Sequence, residues 1–362
     1  MKLLISGYYG FANLGDEAVL LAIIQGIKKS QPKASLTILS KNPEQTKAAY
    51  RIKAIGRYQF FSIIKNIIQS DVFVSGGGTL LQNSTSNLSL FYYVSLIYLA
   101  KLFGKKTVIF AQGFGPLKGA FATGIVASIL SSVDLITIRD RASFEHLKTL
   151  CPKHQNLHLT ADPAFLLEQP SPGEVGVLQN VEGLKKIDQP LLGVVIRNVK
   201  GVKSKAFINN LARAIDSIAV KHNLMPVIVS FQPKNDSIIA ERLIKELKTK
   251  SLSVSTKFTP TQAIALFSKF NFVIGVRLHA LIFAAINNVP MIGISYDPKV
   301  SALLQTINQP GIRLKHLVDP QILEATINKA LENREHAKLL LAEKTKEQIH
   351  QAKSNFDLLF KS

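Results

Sequence analysis

The sequence predicts an α/β protein of two Rossmann-like domains, each a doubly wound parallel sheet, facing across a cleft. Three observations carry the prediction. A chain of 362 residues exceeds what one hydrophobic core usually serves. Short apolar runs alternate with segments of helical period in both halves, the pattern of β-α-β units. Glycine- or arginine-bearing turns follow several of those runs, where such sheets bind ligands.

In the first half the expected strands are Lys2 to Ser6, Leu36 to Leu39, Asp71 to Val74, Thr107 to Ala111, Leu135 to Ile138 and Leu157 to Leu159. In the second half they are Leu191 to Ile196, Pro226 to Ser230, Phe272 to Gly275 and Met291 to Ile294. Between the halves, Glu168 to Pro190 carries Pro170, Pro172, Gly173, Gly176 and Gly183, and compact periodicity lapses. The expected division is therefore an N-terminal domain over 1–172, a linker over 173–190, a C-terminal domain over 191–333 and a helical segment over 334–362. That last segment mixes Lys and Glu among its leucines, which favours packing on the protein over lying on a membrane.

Composition narrows the setting. With 47% hydrophobic and 19% charged residues, the chain has enough apolar surface for a sizeable core. Cys151 is the only cysteine, so no intrachain disulfide or thiolate cluster can form, and a cytoplasmic, reducing compartment fits. The apolar run in MKLLISGYYG is too brief for a secretory signal. Leu88 to Phe103 and Ala120 to Ile138 are interrupted by Lys101 and Asp134, and read as packed helices rather than spans of about 20 apolar residues. The net charge of +20 would attract nucleic acid, an anionic membrane surface or acidic substrates. Nucleic acid is disfavoured, because no binding motif is present, Trp is absent and the basic residues are not interleaved with aromatics.

The chemistry concentrates in turns after strands. GYYGFANLGDE joins the first strand to a helix expected from about Glu17, a place where backbone N–H groups can meet an anion. Its spacing is neither a dinucleotide nor a Walker fingerprint, since Tyr9 replaces a required close glycine and no lysine follows. Asp16 reads equally as a helix N-cap or a substrate contact, and Asn13 shares that ambiguity. Gly76, Gly77 and Gly78 read equally as a second anion nest or as a tight strand-to-helix turn with no ligand, and Gln112 opens a third such loop, QGFGP.

Arg139, at a strand end, offers a planar fork suited to carboxylate or phosphate; the competing reading is a structural pair with Asp140 or Asp162. In GVRLHA, an extended Arg277 to His279 would set an anion anchor and an acid/base imidazole on one face, with Leu278 turned to the core. Arg197 and Lys299 are weaker phosphate contacts of the same kind, and an ordinary Asp-Pro turn competes for Lys299. The other histidines are scattered without metal-ligand spacing, so no metal is expected.

Taken together, GYYGFANLGDE, SGGGTLLQ, QGFGP, RDRAS, DPAF, GVRLHALIFA and YDPK resemble the polysaccharide pyruvyl transferases of the CsaB type, from residue 7 to about residue 300. The resemblance implies a glycosyltransferase-B-like fold, phosphoenolpyruvate as donor, and a pyruvate ketal on a sugar of a cell-surface polysaccharide or its lipid-linked precursor as product. It implies no cofactor and no required metal. It puts Arg139, Arg277 and His279 at donor-binding and catalytic positions, and Asp16 and Asn13 in the N-terminal motif. Phosphoenolpyruvate and a glycan or lipid-linked glycan are then the expected partners, with peripheral contact at the inner face of an anionic membrane as a use for the charge excess. The competing expectation on the same architecture is a nucleotide-sugar glycosyltransferase.

Overall fold

The computed structural model describes residues 1–84, 86–168, 188–198, 204–254, 258–314 and 320–361. The expected linker over 173–190 therefore lies almost wholly outside the described residues. The chain divides into two compact units, Met1–Leu166 with Gln348–Ser362, and Leu167–Glu347.

In the first unit, β1 (Lys2–Ser6), β2 (Ser35–Ser40), β3 (Lys53–Gly56), β4 (Val72–Ser75), β5 (Lys106–Gln112), β6 (Leu135–Ile138) and β7 (Leu157–Leu159) form one parallel sheet. Its order is β3-β2-β1-β4-β5-β6-β7, so the winding reverses between β1 and β4. Both faces are covered: Leu3, Leu4 and Ile5 of β1 are all buried, which explains a continuous rather than alternating apolar run. The helices are α1 (Leu14–Ser30), α2 (Pro43–Tyr50), α3 (Phe60–Gln69), α4 (Asn87–Leu102), α5 (Ala120–Ser131) and α6 (Arg141–Leu150).

The second unit repeats the plan with β8 (Leu191–Val195), β9 (Met225–Val229), β10 (Leu252–Val254), β11 (Phe270–Gly275), β12 (Met291–Ser295) and β13 (Gly311–Arg313). The order β10-β9-β8-β11-β12-β13 places its own reversal between β8 and β11. Here α7 (Lys205–Lys221), α8 (Pro233–Glu246), α9 (Pro260–Phe267), α10 (Leu278–Ile286), α11 (Pro298–Thr306) and α12 (Pro320–Glu332) accompany the sheet.

Helix α13 (Arg334–Lys361) ends the described chain. Its last turns belong to the first unit, where Asn355 is fully buried and donates to the Ala161 carbonyl at 3.0 Å while accepting from the Thr160 hydroxyl at 2.9 Å. Phe356 packs edge-on against Phe110 and fills the space a Cβ on Gly26 would need.

Three strands escaped the sequence reading: β3, β10 and β13. Each is three or four residues long and largely solvent-facing, so none offers the apolar run that identifies a central strand. Of the two apolar stretches read as packed helices, the first is α4, and the second is α5 followed by strand β6. Tyr93, Ile97 and Ala100 of α4 and Val126 and Leu130 of α5 are buried, while Leu88, Tyr98, Leu102 and Phe121 remain exposed. No helix among the described residues is long and apolar enough to cross a membrane.

Candidate active site

The motifs singled out in the sequence lie at the carboxyl ends of strands, of which β1, β4, β8 and β11 flank the two winding reversals, while Gln112 ends β5 and Arg139 and Lys299 follow β6 and β12. The loops after β1 and β4 carry Asn13 and the three glycines, with Asp16 in the helix that follows β1, and those after β8 and β11 carry Arg197 and Arg277, with His279 in the helix that follows β11.

In the first loop, Gly10 adopts φ +77°, and a Cβ there would lie 2.2 Å from the Ser40 hydroxyl. Its N–H does meet an anion, but one of the chain's own, donating at 2.8 Å to the Glu17 carboxylate. Tyr50 Oη donates to the other Glu17 oxygen at 2.8 Å. Burial raises the Glu17 pKa against the pull of these two donors. Helix α1 begins at Leu14, three residues before the expected start, so Asp16 lies inside the first turn instead of ahead of it. The N-cap reading of Asp16 is thereby corrected: Asn13 occupies the cap position, makes no side-chain cap bond, and donates its amide to the Asp16 carboxylate.

The three glycines after β4 have distinct physical reasons. A Cβ on Gly76 would lie 2.3 Å from the Tyr9 hydroxyl, and one on Gly77 would lie 2.5 Å from Val19 Cγ1. Gly78 instead needs its φ of +103°. The Gly76 N–H donates to the Ser6 carbonyl at 2.7 Å, so that donor is spent within the sheet and not on a ligand. Tyr9, which the sequence marked only as the residue breaking a fingerprint, is fully buried over this turn. Its hydroxyl has no partner among the described residues, and burial raises its pKa well above the usual phenol value.

Gln112 is 1% exposed, and its amide nitrogen reaches the Ser75 carbonyl, the Ser75 hydroxyl and the Gly76 carbonyl at 3.0, 2.8 and 2.9 Å. Its donors fix the glycine turn. The preceding residue, Ala111, takes φ +48°, at a register shift in the β5–β6 pairing.

Arg139 Nη1 donates to Asp162 at 2.5 Å, with both side chains 5% exposed, so the competing structural pair is the observed one. Its Nη2 lies 3.5 Å from the Thr79 hydroxyl. Asp140 caps α6, accepting from the Ser143 N–H and hydroxyl at 2.8 and 2.7 Å. That Ser143 hydroxyl also accepts from the Phe114 N–H at 2.8 Å and so holds the QGFGP loop.

In the second unit, Arg277 is 6% exposed and donates through Nη2 to Asp236 at 2.5 Å. Its Nε is buried without a partner among the described residues. Burial pulls its pKa down, Asp236 pushes it back, and the charge of nearby Arg197 pulls down again. Arg197 donates to the Tyr296 hydroxyl and lies 5.6 Å from that ring's centre. Two guanidinium groups thus share a neighbourhood with one buried carboxylate.

The extended Arg277 to His279 geometry is corrected: the chain is extended only at Arg277, which caps α10, and His279 is the second helical residue, half-buried beside the helix's N-terminal N–H groups. Lys299 follows the plainer reading, its ammonium lying 3.2 Å from Asp297, which caps α11 by accepting from the Lys299 N–H at 3.1 Å.

Sequence reasoning missed Asp236, Glu17, Tyr50 and Arg57. Asp236 and Glu17 look like ordinary first-turn acids, and Arg57 follows β3, the strand that was not recognised. Among the described residues no three His, Cys, Asp or Glu side chains cluster as metal ligands would.

Comparison with known proteins gives a family and a fold. No curated protein sequence matches the chain. Among solved structures it is similar to HepE from Anabaena in complex with UDP and glucose, at 10% identity and a TM-score of 0.66, over 100% of this chain and 98% of that one. It is also similar to UDP-GlcNAc 2-epimerase from Neisseria meningitidis bound to UDP-GlcNAc, at 12% identity and 0.65, over 100% of both chains. E. coli ADP-heptose LPS heptosyltransferase II matches at 15% identity and 0.55, over 92% of this chain and 100% of that one. At these identities the likeness shows the fold alone, two Rossmann-like domains of the glycosyltransferase-B kind. The family model for polysaccharide pyruvyl transferases matches residues 13–298, spanning every motif from Asn13 to Pro298. The chain therefore belongs to the polysaccharide pyruvyl transferase family and is a transferase of polysaccharide biosynthesis.

Proposed function

We propose that this protein transfers a pyruvyl group from phosphoenolpyruvate to a sugar of a cell-surface polysaccharide or its lipid-linked precursor, forming a pyruvate ketal. The observation that carries the reading is the family match over residues 13–298, which includes both arginines and the histidine assigned to the reaction. Phosphoenolpyruvate bears a carboxylate and a phosphate. The family resemblance assigns its anions to Arg277 and Arg139; within the second unit, Arg277 has a buried Nε with no partner among the described residues, and Arg197 is an additional cation beside it. Lys299, although paired with Asp297, is assigned a peripheral phosphate contact. Gln112 and the Gly76 to Gly78 turn contribute by holding backbone in place.

In the proposed reaction the His279 imidazolium gives a proton to the methylene carbon, leaving a cationic centre at C2 that a first sugar hydroxyl attacks, its proton passing to a base. A second hydroxyl of the same sugar then attacks C2 as the C–O bond to phosphate breaks; inorganic phosphate leaves with the electron pair and takes up that hydroxyl's proton. Asp16, held by Asn13, is assigned to orienting or deprotonating the acceptor hydroxyl. The reading extends to peripheral contact with an anionic membrane. It draws on the +20 charge and on Phe61, Leu88, Leu102 and Phe121, exposed on the neighbouring helices α3, α4 and α5, with Lys65 and Lys118 nearby in the chain.

The test measures phosphate release from phosphoenolpyruvate in the presence of candidate glycan acceptors, with mass spectrometry of the product. His279→Ala should lower turnover by roughly 10²–10⁴-fold, the usual worth of a general acid. Arg277→Ala should weaken donor binding. Wild-type turnover in the histidine variant removes it from the mechanism. Thermal stabilisation by UDP-sugars and not by phosphoenolpyruvate defeats the donor assignment.

A further inference from the structure

Arg57 differs from every other buried guanidinium described above. Arg139 has Asp162 and Arg277 has Asp236, yet Arg57, 6% exposed, makes no ion pair with a carboxylate among the described residues. Aromatic rings surround it instead. Its guanidinium carbon lies 4.4 Å from the Tyr92 ring centre, 5.0 Å from Phe11, and 5.4 Å from both Tyr58 and Tyr93. Tyr8 continues that wall, stacked on Phe11 at 4.0 Å.

Only Nη2 has a bond, a long one of 3.4 Å to the Tyr93 hydroxyl, while Nε and Nη1 are buried with no partner among the described residues. A buried cation with two idle donors is an unfinished interaction, because ring faces attract its charge but do not replace the acceptors that water or a carboxylate would supply. The place is informative too. Arg57 leaves the carboxyl end of β3, on the sheet edge that also carries the Asn13 and Asp16 loop, and its N–H donates to the Ser40 carbonyl at the end of β2. Burial pushes the Tyr93 pKa up to about 12 against the pull of the touching Arg57 guanidinium, and the charge of Asp16 adds a smaller push in the same direction as burial. At the rim, Tyr58 is 67% exposed and Lys41 lies 5.2 Å from its ring centre.

We infer that Arg57 and its aromatic wall form an anion subsite for an acidic sugar, one whose carboxylate or phosphate meets Arg57 Nε and Nη1 while the apolar face of its ring lies on Tyr58. Arginine's fork suits either oxyanion. The inference deepens the transferase reading by making the acceptor anionic; it rests on that reading for the word acceptor alone, since the anion site stands on its own geometry.

The chain has no Trp and eight Tyr, of which Tyr8, Tyr58, Tyr92 and Tyr93 belong to this cluster, so tyrosine fluorescence of the intact protein is sensitive to binding there. Glucuronate, glucose 6-phosphate and glucose would be titrated in parallel, the first two distinguishing carboxylate from phosphate recognition and the third serving as the neutral control. At least one acidic sugar should bind ten-fold or more tightly than glucose. Arg57→Gln should abolish the difference, and Tyr58→Ala should weaken all three while leaving the acidic preference. Equal binding of the three sugars by the wild type overturns the inference, as does an unchanged acidic preference in Arg57→Gln. Should Arg57→Gln not fold, Arg57→Lys serves, because it keeps the charge but loses the fork, and a wild-type preference there is equally damaging. Thermal stabilisation by phosphoenolpyruvate, read in the same samples, should be unaffected by Tyr58→Ala. A wild type that prefers acidic sugars but ignores phosphoenolpyruvate would sink the donor reading and keep this site.

Discussion

The Arg277–Asp236 pair offers a sharp test of how the second unit holds a buried cation. Asp236→Asn keeps the side chain's shape but removes its charge. In the native arrangement Oδ2 accepts from Arg277 Nη2 at 2.5 Å and from the Gln232 N–H at 3.0 Å, while Oδ1 accepts from the Asn198 N–H at 3.4 Å. Asparagine has one acceptor oxygen for these three donors, and its amino group must face one of them. The guanidinium stays buried with its countercharge gone. Breaking a buried pair from one side costs roughly 3–5 kcal/mol, and because asparagine retains one acceptor we take about 3 kcal/mol. For a unit of this size, a loss of about 1 kcal/mol moves the midpoint by roughly 2–4 °C, so thermal unfolding followed by circular dichroism should fall by roughly 6–12 °C.

Function should separate from stability in the double variant Asp236→Leu with Arg277→Met. Replacing both charges by apolar groups of similar volume is commonly neutral or stabilising, so the melting temperature should recover toward wild type. Phosphoenolpyruvate should then give no thermal shift. A single variant that melts within a degree or so of wild type would refute the claim that the carboxylate neutralises a dehydrated guanidinium. A double variant still stabilised by phosphoenolpyruvate would take Arg277 out of donor binding.

Glu17 carries a pH prediction. Burial raises its pKa in the folded protein, so the stability it contributes is complete below the unfolded value of about 4.3 and is lost as pH rises through the folded one. Urea midpoints measured from pH 4 to 7 should show wild type losing ground to Glu17→Gln as pH rises; a difference constant with pH contradicts the assignment. For membrane contact, flotation with vesicles containing an anionic phospholipid should show binding that weakens in high salt and is reduced by Phe61→Asp with Phe121→Asp, and no flotation at either salt removes the proposal.

The central strands were legible because parallel sheets buried on both faces leave unbroken runs such as LLI in β1 and VFV in β4. The turns after them were legible because glycine and arginine are conspicuous at strand ends. What stayed hidden was pairing. Nothing in QPKND marks Asp236 as the partner of an arginine 41 positions later, since that contact follows from β8 placing its neighbours β9 and β11 on either side. The roles of Gly76 and Gly77 stayed open between a ligand nest and a tight turn for a related reason. Sequence shows that a side chain is missing, but only the fold shows that Tyr9 and Val19 fill the space. Arg57 was missed because its strand is a four-residue edge strand with no buried residue to signal it.

These pairings change what an anion would meet. A count of positive residues suggests exposed cations waiting for a ligand, yet Arg139 and Arg277 are each held by a buried carboxylate, and Lys299 by Asp297. At long range each such pair is nearly neutral, so it contributes little attraction for an approaching anion. At short range it contributes direction, because the carboxylate fixes one edge of the guanidinium plane and leaves the remaining N–H vectors set before a ligand arrives. In the second unit the surplus charge near Asp236 comes from Arg197, whose guanidinium bonds to the neutral Tyr296 hydroxyl. The expected division of labour follows from those bonds: Arg197 supplies attraction that salt can weaken, and Arg277 supplies geometry that salt barely touches.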